Sequence, residues 1–596
     1  MPPALHPTGN ETPGETIRAL LASLYGPLRA PEIERSLRGH IDRFVSRLGL
    51  FARKLPPPLV SQRDALLITY ADQVRDRDEL PLRVLARFCA RHLKGIVSGI
   101  HLLPFYPWSS DDGFSVKDFF VVEPSYGTWG DNALLGSDFD LMFDGVFRHV
   151  SARGEWFQRF LRDDLRYRDF FVPVAGSSDF SHVVDPRAMA LLTNLSTAGG
   201  MEKLPTTFGA HQLDLNFANP RVMTAVLEVL LFYVAKGARF IRLDALGVMW
   251  KEIGTPCLRL RQTHQIIQLL RAVLDEVAPH VLLVAGTNVA HRDNASYLGD
   301  GTDEAHLVYN FALAPLVLHS FVAGNAQKLT RWAMSLVLPS DHVAFLNLLA
   351  SHDGIGLTPA RGILSNSEID ALAQRTLAHG GFISYRDMPN GSRMPYEMNI
   401  NYLDALSNPA ENEPAAAAAR RFLTAHAILL SLPGLPGIYF HSMFGSRGDP
   451  AGALASGIPR RVNRQKLNLP TLEAQLADTG SLRARVLADL CDLLRMRRQH
   501  PAFGPAAPQL VLGLDPRLFA VLRRSKDGDD TVLCLHNVSD EFVTVCLPAG
   551  LEGVRVWQTL WGGNRSLATS GSLVLQPCGT TWLVGRPGLN RRSSTT

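Results

Sequence analysis

Three apolar runs in this chain end in different ways. The run in "RFIRLDALG" ends at Asp244, with Arg242 two residues before it. The run in "FLNLLASHDGIG" is followed by His352 and Asp353. The run in "VLLVAGTNVAH" ends at Ala285-Gly286, with no side-chain chemistry at its tip. In a strand, residues two apart share a face, so Arg242 and Asp244 point the same way. A guanidinium beside a carboxylate keeps it ionised, which suits a nucleophile. The same pair would serve equally well as a structural ion pair in a barrel wall, and the motif by itself leaves both readings open. Asp144 precedes His149 by five residues, and "SSDDGFSVKDF" follows another apolar run. Each is a weak signal, because Asp and His are common near turns. Several strands that all end in Asp, Arg or His form a rarer pattern. Together they suggest a pocket that binds sugar hydroxyls and stabilises positive charge.

Such groups need a frame that brings strand ends to one rim. Eight short apolar runs supply it: "ALLITY" (65–70), "VSGIHLLPF" (97–105), "FDLMFDGVF" (139–147), "ARFIRLDA" (238–245), "HVLLVAG" (280–286), "HLVYNF" (306–311), "VAFLNLLA" (343–350) and "PGIYFH" (436–441). Amphipathic segments lie between several of them. "VMTAVLEVLLFYVAKG" ends at Gly237, which suits a helix terminus, and "QTHQIIQLLRAVLDEVAP" is a second helix. The alternation predicts an α/β fold, a closed parallel (β/α)8 barrel, whose reactive groups sit at the carboxyl ends of the strands. Two connections, 150–212 and 354–420, are too long for plain loops and are expected to shape a substrate site.

The expected organisation is a tail and helical extension over 1–60, the barrel over 61–505, a C-terminal antiparallel β-sandwich over 506–588, and a loose end at 589–596. Residues 1–15 read as disordered, and 16–60 carry helical spacing, with Ile33, Leu37, Ile41, Phe44 and Leu48 on one side. The net charge of +4 is small for 596 residues and gives no argument for nucleic acid or a membrane surface. The six cysteines are far apart and form no metal-binding spacing, so buried free thiols in a reducing compartment are expected. No secretory signal is visible at the N-terminus. A cytoplasmic protein, monomeric or homodimeric, is expected.

The chain resembles the alpha-amylase superfamily, and within it the sucrose phosphorylase-like branch. The resemblance covers roughly residues 60–590. It rests on "GIHLLPFYPWSSDDGFSVKDF", "YGTWGD", "DLNFANP", "GARFIRLDALGVMWKEIGT", "LGDGTDEAHLVYNFALAPLVLH", "LLASHDGIGL", "NINYLDALSNP" and "RRVNRQKL". Members of this branch transfer an α-glucosyl unit between an acceptor hydroxyl and inorganic phosphate, with retention. Their acceptors include fructose, fructose phosphate, glycerate and glycerol. The resemblance implies small-molecule sugar, sugar phosphate and phosphate as partners, and neither a metal nor an organic cofactor. It makes Asp244 the nucleophile and Arg242 its partner, and Asp353 the carboxylate that stabilises the transition state, with His352 beside it. His149 matches the histidine on the sugar's outermost hydroxyl. Asp111 and Arg464 match the pair that grips the far end of the glucose, and Phe114 an aromatic wall.

The family carries its general acid/base as a glutamate in a Thr-Glu-Thr-Asn-Val context at the end of the fifth strand. Here that glutamate position is Gly286. Retaining glycosidases use two carboxyl groups about 5–5.5 Å apart, one as nucleophile and one as acid, then base. Positioned acid–base help is worth about 10²–10⁴ in rate. Other departures accompany it. The family's Asn before the third-strand His is Arg148, expected to crowd the pocket or pair with Asp144. The phosphate-loop "RPR" reads Asp185-Pro186-Arg187, which leaves Arg187 as the candidate phosphate ligand. Asp303 and Glu304 precede the sixth strand and belong to the wrong end of the barrel. His291 and Asp293 lie on the right side to replace the acid.

Three readings follow. The chain is an impaired or repurposed α-glucoside phosphorylase. Alternatively, it is a non-catalytic protein that binds glucosides or sugar phosphates. Or Gly286 is a recent change, and Gly286→Glu alone restores activity.

Overall fold

The computed structural model describes residues 12–48, 59–172, 192–197, 200–206, 209, 211–252, 254–258, 260–387, 391–547, 551, 554–562, 567–568 and 572–587. The expected loose end at 589–596 and the candidate phosphate residues Asp185 and Arg187 lie outside them.

All eight apolar runs become strands of one closed barrel: β1 (Leu66–Thr69), β2 (Gly99–Leu102), β3 (Asp140–Gly145), β4 (Ala238–Asp244), β5 (Leu282–Gly286), β6 (Leu307–Asn310), β7 (Ala344–Asn347) and β8 (Leu435–Tyr439). Every neighbouring pair is parallel, and β8 closes on β1. The runs are continuous rather than alternating because both strand faces are buried. Leu66, Met142, Phe240, Leu282, Val284, Leu307, Tyr309 and Leu346 fill the barrel interior as a cluster of their own. The opposite strand faces join the larger core under the helices.

At the N-terminus, helices α1 (Pro13–Tyr25) and α2 (Ala30–Leu48) bury Ile17, Leu21, Ile33, Leu37, Ile41 and Phe44. They pack on α3 (Pro220–Ala235) and α4 (Arg261–Val277). The expectation of disorder over 1–15 is corrected at its end. Helix α1 starts at Pro13, because Thr12 and Glu15 form a reciprocal capping box and Pro13 is pre-set for the first turn. Gly237, expected as a helix end, follows the α3 cap at Lys236 with φ +91°, a left-handed conformation that favours glycine.

Between β3 and β4, the strand His149–Ser151 pairs antiparallel with Gln212–Asp214, so His149 is the register partner of Asp214. Between β7 and β8, a hairpin of Phe382–Asp387 and Arg393–Asn399 takes Ile355–Gly356 as a third strand. This hairpin can approach Asp353 because Gly354 has no side chain. A Cβ there would lie 2.5 Å from the Met398 carbonyl oxygen and 2.7 Å from Glu397 Cγ. After the barrel, strands from Gln509 to Pro587 form a six-stranded antiparallel sheet and a separate two-stranded one. Among the described residues, no helix is long and apolar enough to cross a membrane.

Candidate active site

Strand alternation lifts polar groups above the apolar barrel interior on two adjacent strands, and brings a bare glycine to the same level on a third. On β4, Phe240 points inward, and so do Arg242 and Asp244 above it. On β3 the same step leads from Met142 to Asp144, and on β5 from Val284 to Gly286. The register pairs Arg242 with Val284 and Asp244 with Gly286. These strand ends open into a cavity of about 300 Å³, lined in part by Asp111, Phe114, His149, Asp244, Gly286 and Asp353.

Arg242 is shared between two carboxylates. It makes a very short bond to Asp144 and a 3.0 Å contact to Asp244 Oδ1. His101 Nε2 also bonds Asp144 Oδ2 at 2.9 Å. Burial by itself would raise the Asp144 carboxyl, but Arg242 and His101 outweigh it and hold it down to about 2. Asp244 gets less. Burial, with Asp144 nearby, pushes its carboxyl above the usual range even though Arg242 and Arg148 oppose the shift. Arg242 is thus beside Asp244 as expected, but it also serves Asp144, and the expected hold on the ionised Asp244 is outweighed by burial. The residue that follows, Ala245, sits at φ +46°, a strained backbone beside the reacting carboxylate.

Arg148 does not pair with Asp144, which is already taken by Arg242 and His101. It bonds Asp214 Oδ1 at 2.6 Å and His149 Nδ1 at 2.6 Å, and it forms part of the cavity wall. Lys251 Nζ reaches the other Asp214 oxygen at 3.2 Å. With Nδ1 accepting from Arg148, the His149 proton is on Nε2, which donates to the Phe114 carbonyl at 2.5 Å. Burial and Arg148 lower His149 to about 3, so the ring is neutral. Both its nitrogens are thus engaged inside the protein, in contrast to the expected contact with a sugar hydroxyl.

On the opposite wall, Phe114 stacks on His352 at 4.7 Å between ring centroids. Burial lowers His352 to about 3 despite Asp353 alongside. Arg464 donates to the His352 carbonyl at 2.9 Å and comes within 3.6 Å of both Asp111 and Asp353. Its nearest carboxylate, however, is Asp112 at 2.8 Å, which Arg461 also holds. Asp111 and Asp112 both have left-handed backbone, at φ +56° and +47°.

Two further residues were not singled out from the sequence, although each lies in a quoted or adjacent motif. Arg460 contacts Asp353 Oδ1 at 2.6 Å and grips both oxygens of Glu397 at 2.9 and 2.6 Å. Their spacing, more than sixty residues apart along the chain, left no local signal. The candidate replacement acids separate as follows. Asp293 borders the cavity. His291 lies outside it, against Trp332 and Phe345. Glu304 bonds His264 at 2.9 Å and Asp303 bonds Gln268 at 2.6 Å, both ahead of β6. Glu397 borders the cavity with both oxygens occupied by Arg460.

Comparison with known proteins fits this frame. Residues 92–352 match the alpha amylase catalytic domain. The glucosylglycerate phosphorylase of Allomeiothermus silvanus is 52% identical over 480 residues, spanning 80% of this chain and 86% of that protein. The glucosylglycerate phosphorylase of Escherichia coli is 42% identical over 546 residues, 88% of this chain and 96% of that one. The solved sucrose 6F-phosphate phosphorylase of Thermoanaerobacter thermosaccharolyticum shares the fold, with a TM-score of 0.70 at 21% identity over 84% of this chain and 97% of its own. Eight parallel strands, a rim of Asp, Arg and His at their carboxyl ends and this degree of identity have one reading: the chain belongs to the alpha-amylase family, in the branch of the glucosylglycerate and sucrose phosphorylases.

Proposed function

We propose that this chain is an α-glucoside phosphorylase-type glucosyl transferase that works without a general acid/base, on donors whose leaving group departs without a proton. Asp244 Oδ attacks the anomeric carbon. The C1–O bond to the leaving group breaks, its electron pair leaves with that oxygen, and a glucosyl ester forms on Asp244. A second nucleophile then breaks that ester with retention overall. Phosphate is stable as an anion near neutral pH, so it leaves and attacks with little acid–base help. A sugar or glycerate alkoxide does not. Inorganic phosphate and α-glucose 1-phosphate are the natural partners of this reading, in a cytoplasmic setting.

The single observation that carries it is the pairing of Asp244 with Gly286 across β4 and β5. The attacking carboxylate is kept at the cavity, beside Arg242, while its cross-strand partner has no side chain. The identity to glucosylglycerate phosphorylases supports the substrate class.

Exchange of labelled phosphate into α-glucose 1-phosphate tests the proposal. Exchange is expected in the native protein and not in Asp244→Asn. Phosphorolysis of a plain α-glucoside should trail it by about 10²–10⁴. Vigorous phosphorolysis of the plain glucoside overturns the reading. Glucoside binding by calorimetry with no exchange and no ester detectable by mass spectrometry would instead assign the non-catalytic reading. The observation that favours that second reading is Arg148, whose charge is built into the cavity wall.

A further inference from the structure

A second cavity, of about 620 Å³, lies on the far side of the segment that follows β5. Ala290 borders both this cavity and the one that holds Asp244. Its walls come from three places: His291 and Arg292 after β5, helix α5 (Gln327–Met334), and the turn at 359–363. Among the lining residues are four cations, Arg292, Lys328, Arg331 and Arg361.

The charges in this cavity are poorly balanced. Lys328 makes a very short contact with Glu368, which His319 also approaches at 3.2 Å. Arg361 gives one N–H to the Pro395 carbonyl at 2.9 Å, and its Nε is buried with no acceptor. Trp332, on the same wall, buries its indole N–H with no acceptor. Neither Arg292 nor Arg331 has a side-chain hydrogen bond or ion pair among the described residues. Arg292 and Arg331 face this cavity without a counter-ion among the described residues, and like charges gathered there repel. An oxyanion with several acceptor oxygens answers that repulsion. Forked guanidinium donors suit phosphate geometry, and Trp332 lines the same wall.

We propose that this cavity is a binding site for a small phosphate-bearing ligand, a phosphate monoester or diphosphate, held by Arg292, Arg331 and Arg361 against Trp332. It is separate from the glucosyl site, and it stands whether or not Asp244 proves to be a nucleophile.

Inorganic pyrophosphate is the probe, titrated at low salt into the full chain and followed by Trp332 fluorescence and calorimetry. The native protein and Asp244→Asn should bind it alike, with a fluorescence change that Trp332→Phe removes. Arg292→Ser/Arg331→Ser should weaken binding by about tenfold or more. Both arginines are exposed, so the double variant should keep the native melting temperature. Two results overturn the proposal. One is equal pyrophosphate affinity in the native and double-variant proteins. The other is no binding at millimolar pyrophosphate in a folded native protein.

Discussion

Gly286 is the cross-strand partner of Asp244 in the β4–β5 register. The position is vacant of side chain but not closed to one. A Cβ on Gly286 would lie 3.3 Å from Tyr309 Cδ2 and 3.6 Å from Arg242 Nε, so the Tyr309 ring need give by only a few tenths of an ångström. The glycine is therefore not demanded by packing. Gly286→Glu should fold and should raise kcat/KM on a plain α-glucoside by at least about tenfold, short of the full 10²–10⁴ because Arg148 still occupies the wall. Turnover of an activated donor such as glucosyl fluoride should stay nearly constant. A parallel rise on both donors would mean that the substitution acts through packing rather than proton transfer.

How Arg242 divides its charge sets the pH dependence. Asp144, fully buried, takes the short bond and leaves Asp244 with a carboxyl raised above the usual range. The nucleophile must be ionised, so the acid limb of kcat/KM for an activated donor should lie above the ordinary aspartate range. No alkaline limb from a general acid is expected. Asp144→Asn removes the competing carboxylate and its repulsion, so the acid limb should move to lower pH. A pH–rate profile on glucosyl fluoride checks both, and an unmoved or upward-shifted limb in Asp144→Asn contradicts the shared-guanidinium account.

The barrel was legible in the sequence because its strands are buried on both faces and therefore read as largely apolar runs. Asp244, Gly286 and Asp353 were legible because strand ends carry their position in the local pattern. Charge pairing was not. Arg148 matches with Asp214 only because an insertion strand folds back on His149–Ser151, and Arg460 reaches Glu397 only through the hairpin after β7. Only the first turn of helix α1 was hidden, by the proline and glycine at its start, although its Thr12–Glu15 capping box was there to read.

Arg460 stands between two carboxylates, Asp353 and Glu397. Its removal would leave them facing each other, with Glu397 almost fully enclosed. Arg460→Met should lower stability by about 3 kcal/mol, as breaking a buried ion pair on one side does. Adding Glu397→Leu should recover part of that loss. Urea unfolding of the two variants measures it, and equal destabilisation in the single and double variants would show that Arg460 acts independently of Glu397.

Buried neutral histidines should govern the acid stability of the whole chain. His149, His352, His441 and His536 are lowered by burial to about 3, and His426 to about 4. In the unfolded chain each takes up a proton near pH 6.5. Between about pH 6.5 and their folded values, the unfolded state therefore binds protons that the native state does not, and stability falls as pH falls. Each such group contributes a slope of about 1.4 kcal/mol per pH unit. Asp144, held down to about 2, adds its own loss only below about pH 4, where unfolded aspartates protonate. The melting temperature should thus be flat above pH 7 and should drop from pH 6.5 to pH 5, before the loss from Asp144 sets in. His536→Gln, far from the cavity in the C-terminal sheet, should make that drop shallower without touching activity. A melting temperature that stays level from pH 7 to pH 5 would mean that these rings gain protons in the folded protein.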